Sequence, residues 1–189
     1  MINIVAAFKT EVEPIIRHFS MRKVASDGHY QEFIGSGYRV IISGMGAVNA
    51  AKATEAGLLR CSVGRWLNFG IAGSGGYAIG DLVFARQVTE ASTGQSWLLE
   101  AIEGAELTGH VYTVPKMQTS YGGSLLYDME AAGFMQSLDQ AGRIGDGVIL
   151  KLVSDGPSNV DTVNLGSIRR LIDESGPSII RWVSQPGID

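Results

Sequence analysis

The feature that most restricts what this chain can fold into is a pattern that recurs three times: an apolar run delivering an acid at or just past its end. Leu125-Leu126-Tyr127-Asp128-Met129-Glu130 carries it, followed at once by Ala131-Ala132-Gly133. Ile2-Asn3-Ile4-Val5-Ala6-Ala7-Phe8 runs into Glu11, and Val148-Ile149-Leu150-Lys151-Leu152-Val153-Ser154 runs into Asp155. Short apolar runs of this kind read as strands, and the small residues after Glu130 read as the first turn of a helix. In α/β sheets the carboxyl ends of the strands form the edge where ligands bind. Three acids converging there, with no cluster of bases, suggest a site that grips hydroxyl groups and moves protons. Each acid also has a purely structural reading. Asp128 can cap the helix, and Glu130 sits in its first turn, where the macrodipole favours negative charge. Glu11 falls at the start of a helix, and Asp155 can cap the loop that follows it.

The order of elements supports an α/β fold. After the first strand, Thr10-Glu11-Val12-Glu13 matches a capping box and opens a helix to about Phe19, with Pro14 tolerated in its first turn. Residues 20–29 read as polar and irregular. Tyr30–Ile34 and Tyr38–Ser43, joined by Gly35-Ser36-Gly37, read as a β-hairpin. Gly44-Met45-Gly46-Ala47-Val48-Asn49-Ala50 then leads into a helix through Leu59. This segment approaches a dinucleotide fingerprint, but Asn49 stands at its third small position and no acid follows the next strand, Trp66–Phe69. A dinucleotide cofactor is therefore not expected. Gly70–Gly76 reads as a second glycine-rich loop, and Gly80-Asp81 as the start of a strand through Ala91. A helix is predicted over Trp97–Leu107, a short strand over Val111–Val114, and a polar loop over 116–124. Past the acid at 130 the helix should reach Ala141, with Gly142 as its stop. The strand over 148–154 is the most apolar and should be central. A C-terminal helix from Leu165 to Glu174 should break at Gly176-Pro177 and resume from Ser178 to Val183.

Composition narrows the function classes. The 189 residues carry a net charge of -4 with no Lys/Arg cluster, which argues against nucleic acid or an anionic membrane as partner. Hydrophobic residues make up 45% of the chain and mean hydropathy is +0.13, as in a compact globular protein. No apolar run approaches the ~20 residues of a membrane span, and the N-terminus lacks a signal-peptide pattern. A cytoplasmic protein is expected. The lone Cys61 cannot form an internal disulfide, and His18, His29 and His110 share no metal-ligand spacing, so no metal is assigned. There is no Gly-x-Ser-x-Gly elbow.

Four of these features stand in register with a known family. The strand followed by Glu11, the glycine-rich Asn68-Phe69-Gly70-Ile71-Ala72-Gly73-Ser74, Met129-Glu130-Ala131 and Ser154-Asp155 resemble the purine nucleoside phosphorylase and nucleosidase superfamily. The resemblance is nearest to its methylthioadenosine/S-adenosylhomocysteine nucleosidase branch. It implies one nucleoside phosphorylase-like domain over residues 1–189: a mixed, twisted, partly closed sheet flanked by helices. It also implies cleavage of the N-glycosidic bond of a purine nucleoside, without a cofactor, by a dimer or larger homo-oligomer. Glu11 would activate the nucleophile and Asp155 would protonate the leaving base. Glu130 would hold the ribose hydroxyls, Met129 would pack on the sugar, and Ser154 would line the pocket. Gly44, Gly46, Gly70, Ala72 and Gly73 would line the pocket with backbone. Two departures bear on the nucleophile. Phosphorylase members carry an Arg at the place of Asn68 and a serine at that of Ile71. Water is therefore expected rather than phosphate. The middle region is shorter than in longer relatives, so the base pocket is the part the resemblance describes least.

Overall fold

The computed structural model describes residues 1–24, 30–61 and 63–185. Strand β1 (Ile2–Ala6) leads into helix α1 (Lys9–His18), and β2 (Arg22–Val24), β3 (Gln31–Gly35) and β4 (Tyr38–Ile42) follow. Helix α2 (Ala47–Arg60) returns the chain to β5 (Arg65–Ser74). Next come β6 (Leu82–Glu90), β7 (Ser96–Leu98), β8 (Thr108–Thr113) and β9 (Leu125–Asp128). The chain closes with α3 (Ala131–Gln140), a 3-10 turn at Ile144–Asp146, β10 (Gly147–Asp155) and α4 (Leu165–Val183).

The sheet is mixed and closes on itself. β10 pairs with β5 in parallel and with β6 antiparallel, and β6, β8, β9 and β5 complete a five-strand ring. From β5 the sheet continues outward through β1, β4, β3 and β2. The partly closed barrel expected from the resemblance is this ring. β10 is covered on both faces, with Val148, Leu150 and Leu152 in one apolar layer and Ile149 and Val153 in the other, which is why its sequence is apolar throughout. Two apolar layers hold the helices on. Ile4, Ile15, Leu150, Ile172 and Ile179 belong to the layer under α1 and α4. Val5, Ala53, Trp66, Phe134 and Leu138 belong to the layer under α2 and α3. The hairpin turns through Ser36 and Gly37 at φ 50° and 84°, a twist that suits the flanking strands.

Several elements differ from the sequence reading. The glycine-rich segment starting at Gly70 is not a loop at first: β5 runs on to Ser74, because Gly73 and Ser74 still have β9 as a partner. Residues 97–107 do not form a helix. Trp97 lies opposite Val88 in the β6–β7 pairing, is buried, and donates its indole N–H to Asp139 at 2.9 Å, so tertiary contacts override a weak local preference. Residues 22–24 form a strand against β3, while 25–29, also read as irregular, and His29 with them, lie outside the described residues. Helix α1 starts before Thr10: Glu11 accepts the Phe8 N–H, closing the turn from one residue pair earlier than expected and leaving Pro14 in the second turn. Helix α4 does not break at Pro177. The proline ring faces solvent, and burial of Ile172, Gly176, Ile179 and Trp182 offsets the one lost backbone bond.

Candidate active site

β1 and β10 run parallel to β5 and β9 runs antiparallel to it, and the acids that follow these three strands line one cavity of about 170 Å³. Glu11, Glu130 and Asp155 are all in its wall, together with Phe8, Met45, Ile71, Ala72, Gly73, Met129 and Ser154. The cavity is lined mainly by carbon, with the carboxylates as its principal polar groups.

Glu11 comes from the first turn of α1 and is almost wholly buried. One carboxylate oxygen accepts the Phe8 N–H at 2.8 Å and the other accepts the Ile71 N–H at 3.2 Å. Burial pushes its pKa up to about 7, against those two amides, with a further upward push from Glu130 and a downward pull from Lys151. The side chain lies over Gly70, where an added Cβ would come within 3.1 Å of its carboxylate. Gly70 is thus under the acid, not in the cavity wall.

Glu130 immediately precedes α3. Its carboxylate accepts the Gly46 N–H at 2.7 Å, which ties the end of β9 to the start of α2. Burial raises its pKa and the neighbouring Asp128 raises it further, while Lys151 and two backbone amides lower it. Gly46 does not reach the cavity. It lines an adjoining depression of about 290 Å³ that shares Met45, Val114 and Met129 with the first. Gly44 lines neither and uses its N–H on the Ala7 carbonyl at 3.1 Å.

Asp155 ends β10 opposite Gly73, across a register shift that begins at Val153. The Ser154 hydroxyl donates to one of its oxygens at 2.5 Å, and the Tyr121 hydroxyl contacts the other. Tyr121 comes from the loop between β8 and β9, and burial together with Asp155 pushes its pKa upward.

Beneath the acids lies a buried polar network that the sequence reading missed. Lys151 is fully buried in β10 and pairs with Asp128 at 2.7 Å and with the Asn68 side-chain oxygen at 2.8 Å. Asp128 also accepts the Thr113 hydroxyl at 2.6 Å and the Ala131 N–H at 2.8 Å, so it caps α3 as expected while also holding the lysine. The signal was a lysine in the middle of the most apolar strand, a position that requires a buried partner. Tyr121 and Tyr127 were missed as well: nothing in a polar loop marks Tyr121 as the residue that turns inward, and Tyr127 was read only as part of the strand.

Comparison with known proteins decides the family. A model of the phosphorylase superfamily matches residues 2–116. The chain belongs to that superfamily. The match ends before Glu130 and Asp155, so the arrangement of those residues rests on the fold. No curated protein sequence matches the chain. Among solved structures, the 5′-methylthioadenosine/S-adenosylhomocysteine nucleosidase of Neisseria meningitidis, in complex with methylthio-immucillin-A, is similar at a TM-score of 0.80 and 20% identity, covering 96% of this chain and 97% of that one. The 5′-methylthioadenosine nucleosidase of Arabidopsis thaliana is similar at 0.79 and 16%, covering 99% and 97%. The Helicobacter pylori nucleosidase, with butyl-thio-DADMe-Immucillin-A, is similar at 0.75 and 17%, covering 96% and 95%. At these identities the likeness is one of fold.

Proposed function

We propose that the protein is a nucleosidase that hydrolyses the N-glycosidic bond of a purine nucleoside, one with a modified 5′ group such as methylthioadenosine. The observation that carries this reading is the convergence of Glu11, Glu130 and Asp155 on one largely apolar cavity in a phosphorylase-superfamily fold. Cleavage passes through a sugar with oxocarbenium character, so the site must stabilise growing positive charge and protonate the base. Glu130 accepts hydrogen bonds from the ribose hydroxyls, and its negative charge gains strength as the cation forms. Met129 supplies the apolar contact beside it. Asp155, steadied by Ser154, delivers a proton to the departing base. Glu11 takes a proton from the attacking water as its oxygen bonds to the anomeric carbon. The bond to the base breaks, one water proton ends on Glu11, and the Asp155 proton ends on the base. The depression sharing Met45, Val114 and Met129 gives the 5′ substituent room away from Asp155.

The surroundings of the site fit this reading. Phe8, Met45 and Met117 line the cavity and are at least half exposed, and Val48 in the adjoining depression is exposed too. Such an apolar rim suits a homodimer, with a second copy closing the mouth. No helix among the described residues is long and apolar enough to cross a membrane, and we read the protein as cytoplasmic.

The test is release of free base from a panel of purine nucleosides with varied 5′ groups, using wild type and Asp155→Asn. Wild type should release base. The variant should bind but lose about 10²-fold or more in kcat, the span of a general acid–base group. No release from any nucleoside would leave a nucleoside-binding relative as the reading. Unchanged kcat in the variant would remove the general acid.

A further inference from the structure

The end of the cavity where the base must go is already occupied by a side chain. The Tyr121 hydroxyl sits on the Asp155 oxygen that Ser154 does not use. Its ring covers the backbone of β5 so closely that a Cβ on Gly73 would come within 2.5 Å of it. The ring also lies tilted against that of Tyr127 at a centroid distance of 5.7 Å. With the ring in place the cavity measures about 170 Å³, well below the roughly 300–1,000 Å³ of ordinary small-molecule sites. The adjoining depression does not relieve the shortage at this end, because neither Tyr121 nor Asp155 lines it.

Resting on the nucleosidase reading, we propose that Tyr121 is an internal stand-in for the leaving base, and that substrate binding displaces it from Asp155. Displacement requires the loop carrying it to shift. Residues 115–124 are exposed except for Gln118 and Tyr121, which are half-buried. Gly123 sits at φ 56°, a backbone state that glycine adopts without cost. The hydrogen bonds of Tyr121 are also easily exchanged. Its hydroxyl lies 2.9 Å from the Gln118 carbonyl as well as against Asp155. A phenol has one proton and cannot donate to both acceptors at once. When the base takes the Asp155 oxygen, the phenolic proton still has the Gln118 carbonyl, so the loop can withdraw without leaving a buried donor unpaired. The ring closes the apolar pocket in the free protein and yields to the larger, bicyclic base, which offers a flat stacking surface in its place.

Tyr121→Phe keeps the ring and deletes the contact to Asp155. Displacement then costs one hydrogen bond less, and KM for methylthioadenosine should fall about tenfold, the equivalent of about 1.4 kcal/mol. Hydrogen exchange of the amides at 116–124 in the free variant should quicken, with the barrel strands unchanged. A crystal structure of wild type with adenine should find the Tyr121 hydroxyl out of bonding range of Asp155. The proposal is overturned if wild type releases base but the variant shows an equal or higher KM, if exchange at 116–124 does not change, or if adenine binds with the Tyr121–Asp155 contact intact. If wild type neither binds adenine nor releases base from any nucleoside, the nucleosidase reading fails first and this proposal falls with it; the behaviour of wild type alone separates the two failures.

Discussion

Glu11 is the residue whose environment makes the sharpest demand. It is buried, it is held by two amides, and its pKa is raised to about 7. A base must be ionised to take a proton from water, so kcat/KM should rise with pH through about 7 and level off above it. A pH–rate profile checks this, and Glu11→Gln should cost about 10²-fold or more in turnover above pH 7, with the difference narrowing as pH falls. The same shift has a consequence for folding. In the unfolded chain the carboxyl returns to its ordinary value of 4.5. Between the two values the folded state holds the proton and the unfolded state does not. Stability should therefore be greatest at the acid end of that window and fall as pH rises from about 5 to about 7, by on the order of 3 kcal/mol at most. Urea midpoints of wild type should show this decline and those of Glu11→Gln should lack most of it; parallel profiles would mean that Glu11 is not the group responsible.

Two contacts between elements hold the acids in place. The first is the approach of α3 to α2 at Gly133, where an added Cβ would lie 1.9 Å from the Ala47 carbonyl oxygen. Gly133→Ala must push the helices apart, costing about 1–3 kcal/mol, the usual range for overpacking. Because Glu130 opens α3 and bonds the Gly46 amide just before α2, the variant should also bind nucleoside more weakly. Thermal unfolding and KM should shift together; a stability loss with unaltered KM would mean that the Glu130–Gly46 contact is set elsewhere. The second is the ion pair joining β10 to β9. Lys151→Met leaves the Asp128 carboxylate buried without its cation, a loss of about 3–5 kcal/mol, and pairing it with Asp128→Asn should recover part of that. A double-mutant cycle by urea denaturation measures the recovery. These contacts mark where the sequence became hard to read. Strand-to-acid patterns are local, so β1, β9 and β10 and the three acids could be located from the chain alone. The partner of Lys151, the fit of Gly133 against Ala47 and the extension of β5 beyond Gly70 depend on distant elements. So does the pairing that turned the expected helix near Trp97 into a strand. The inward turn of Tyr121 is decided by the glycine surface of β5 opposite it, which no pattern within 116–124 records.

At the scale of the molecule, the ring strands β9 and β10 and the neighbouring β1 bring three acids to one cavity, while α1 and α4 pack on a face that includes Ile4 of β1 and Leu150 and Leu152 of β10. The ends of those strands supply negative charge and backbone amides, and the distribution of positive charge decides which nucleophile can join them. A phosphate dianion leaving water needs amide donors and usually a guanidinium to offset its desolvation. None of the residues lining the cavity is basic. Lys151 lies beneath them and is committed to Asp128 and Asn68. Arg39 is paired with Glu32 at 3.0 Å on the outer part of the sheet, and Arg86 is exposed on β6. Ile71 offers its N–H, but Glu11 already takes it, and its side chain has no donor. A phosphate at Glu11 would also share the cavity with three further acids, Asp128, Glu130 and Asp155, of which only Asp128 is paired with Lys151. Water carries no charge to desolvate and needs only one acceptor, which Glu11 provides. Base release should therefore proceed in phosphate-free buffer and stay flat as phosphate is titrated in, with free ribose or its 5′-modified form as the sugar product. A rate that starts near zero and climbs with phosphate, giving a sugar 1-phosphate, would show that a neighbouring copy lends the missing cation and that the protein is a phosphorylase.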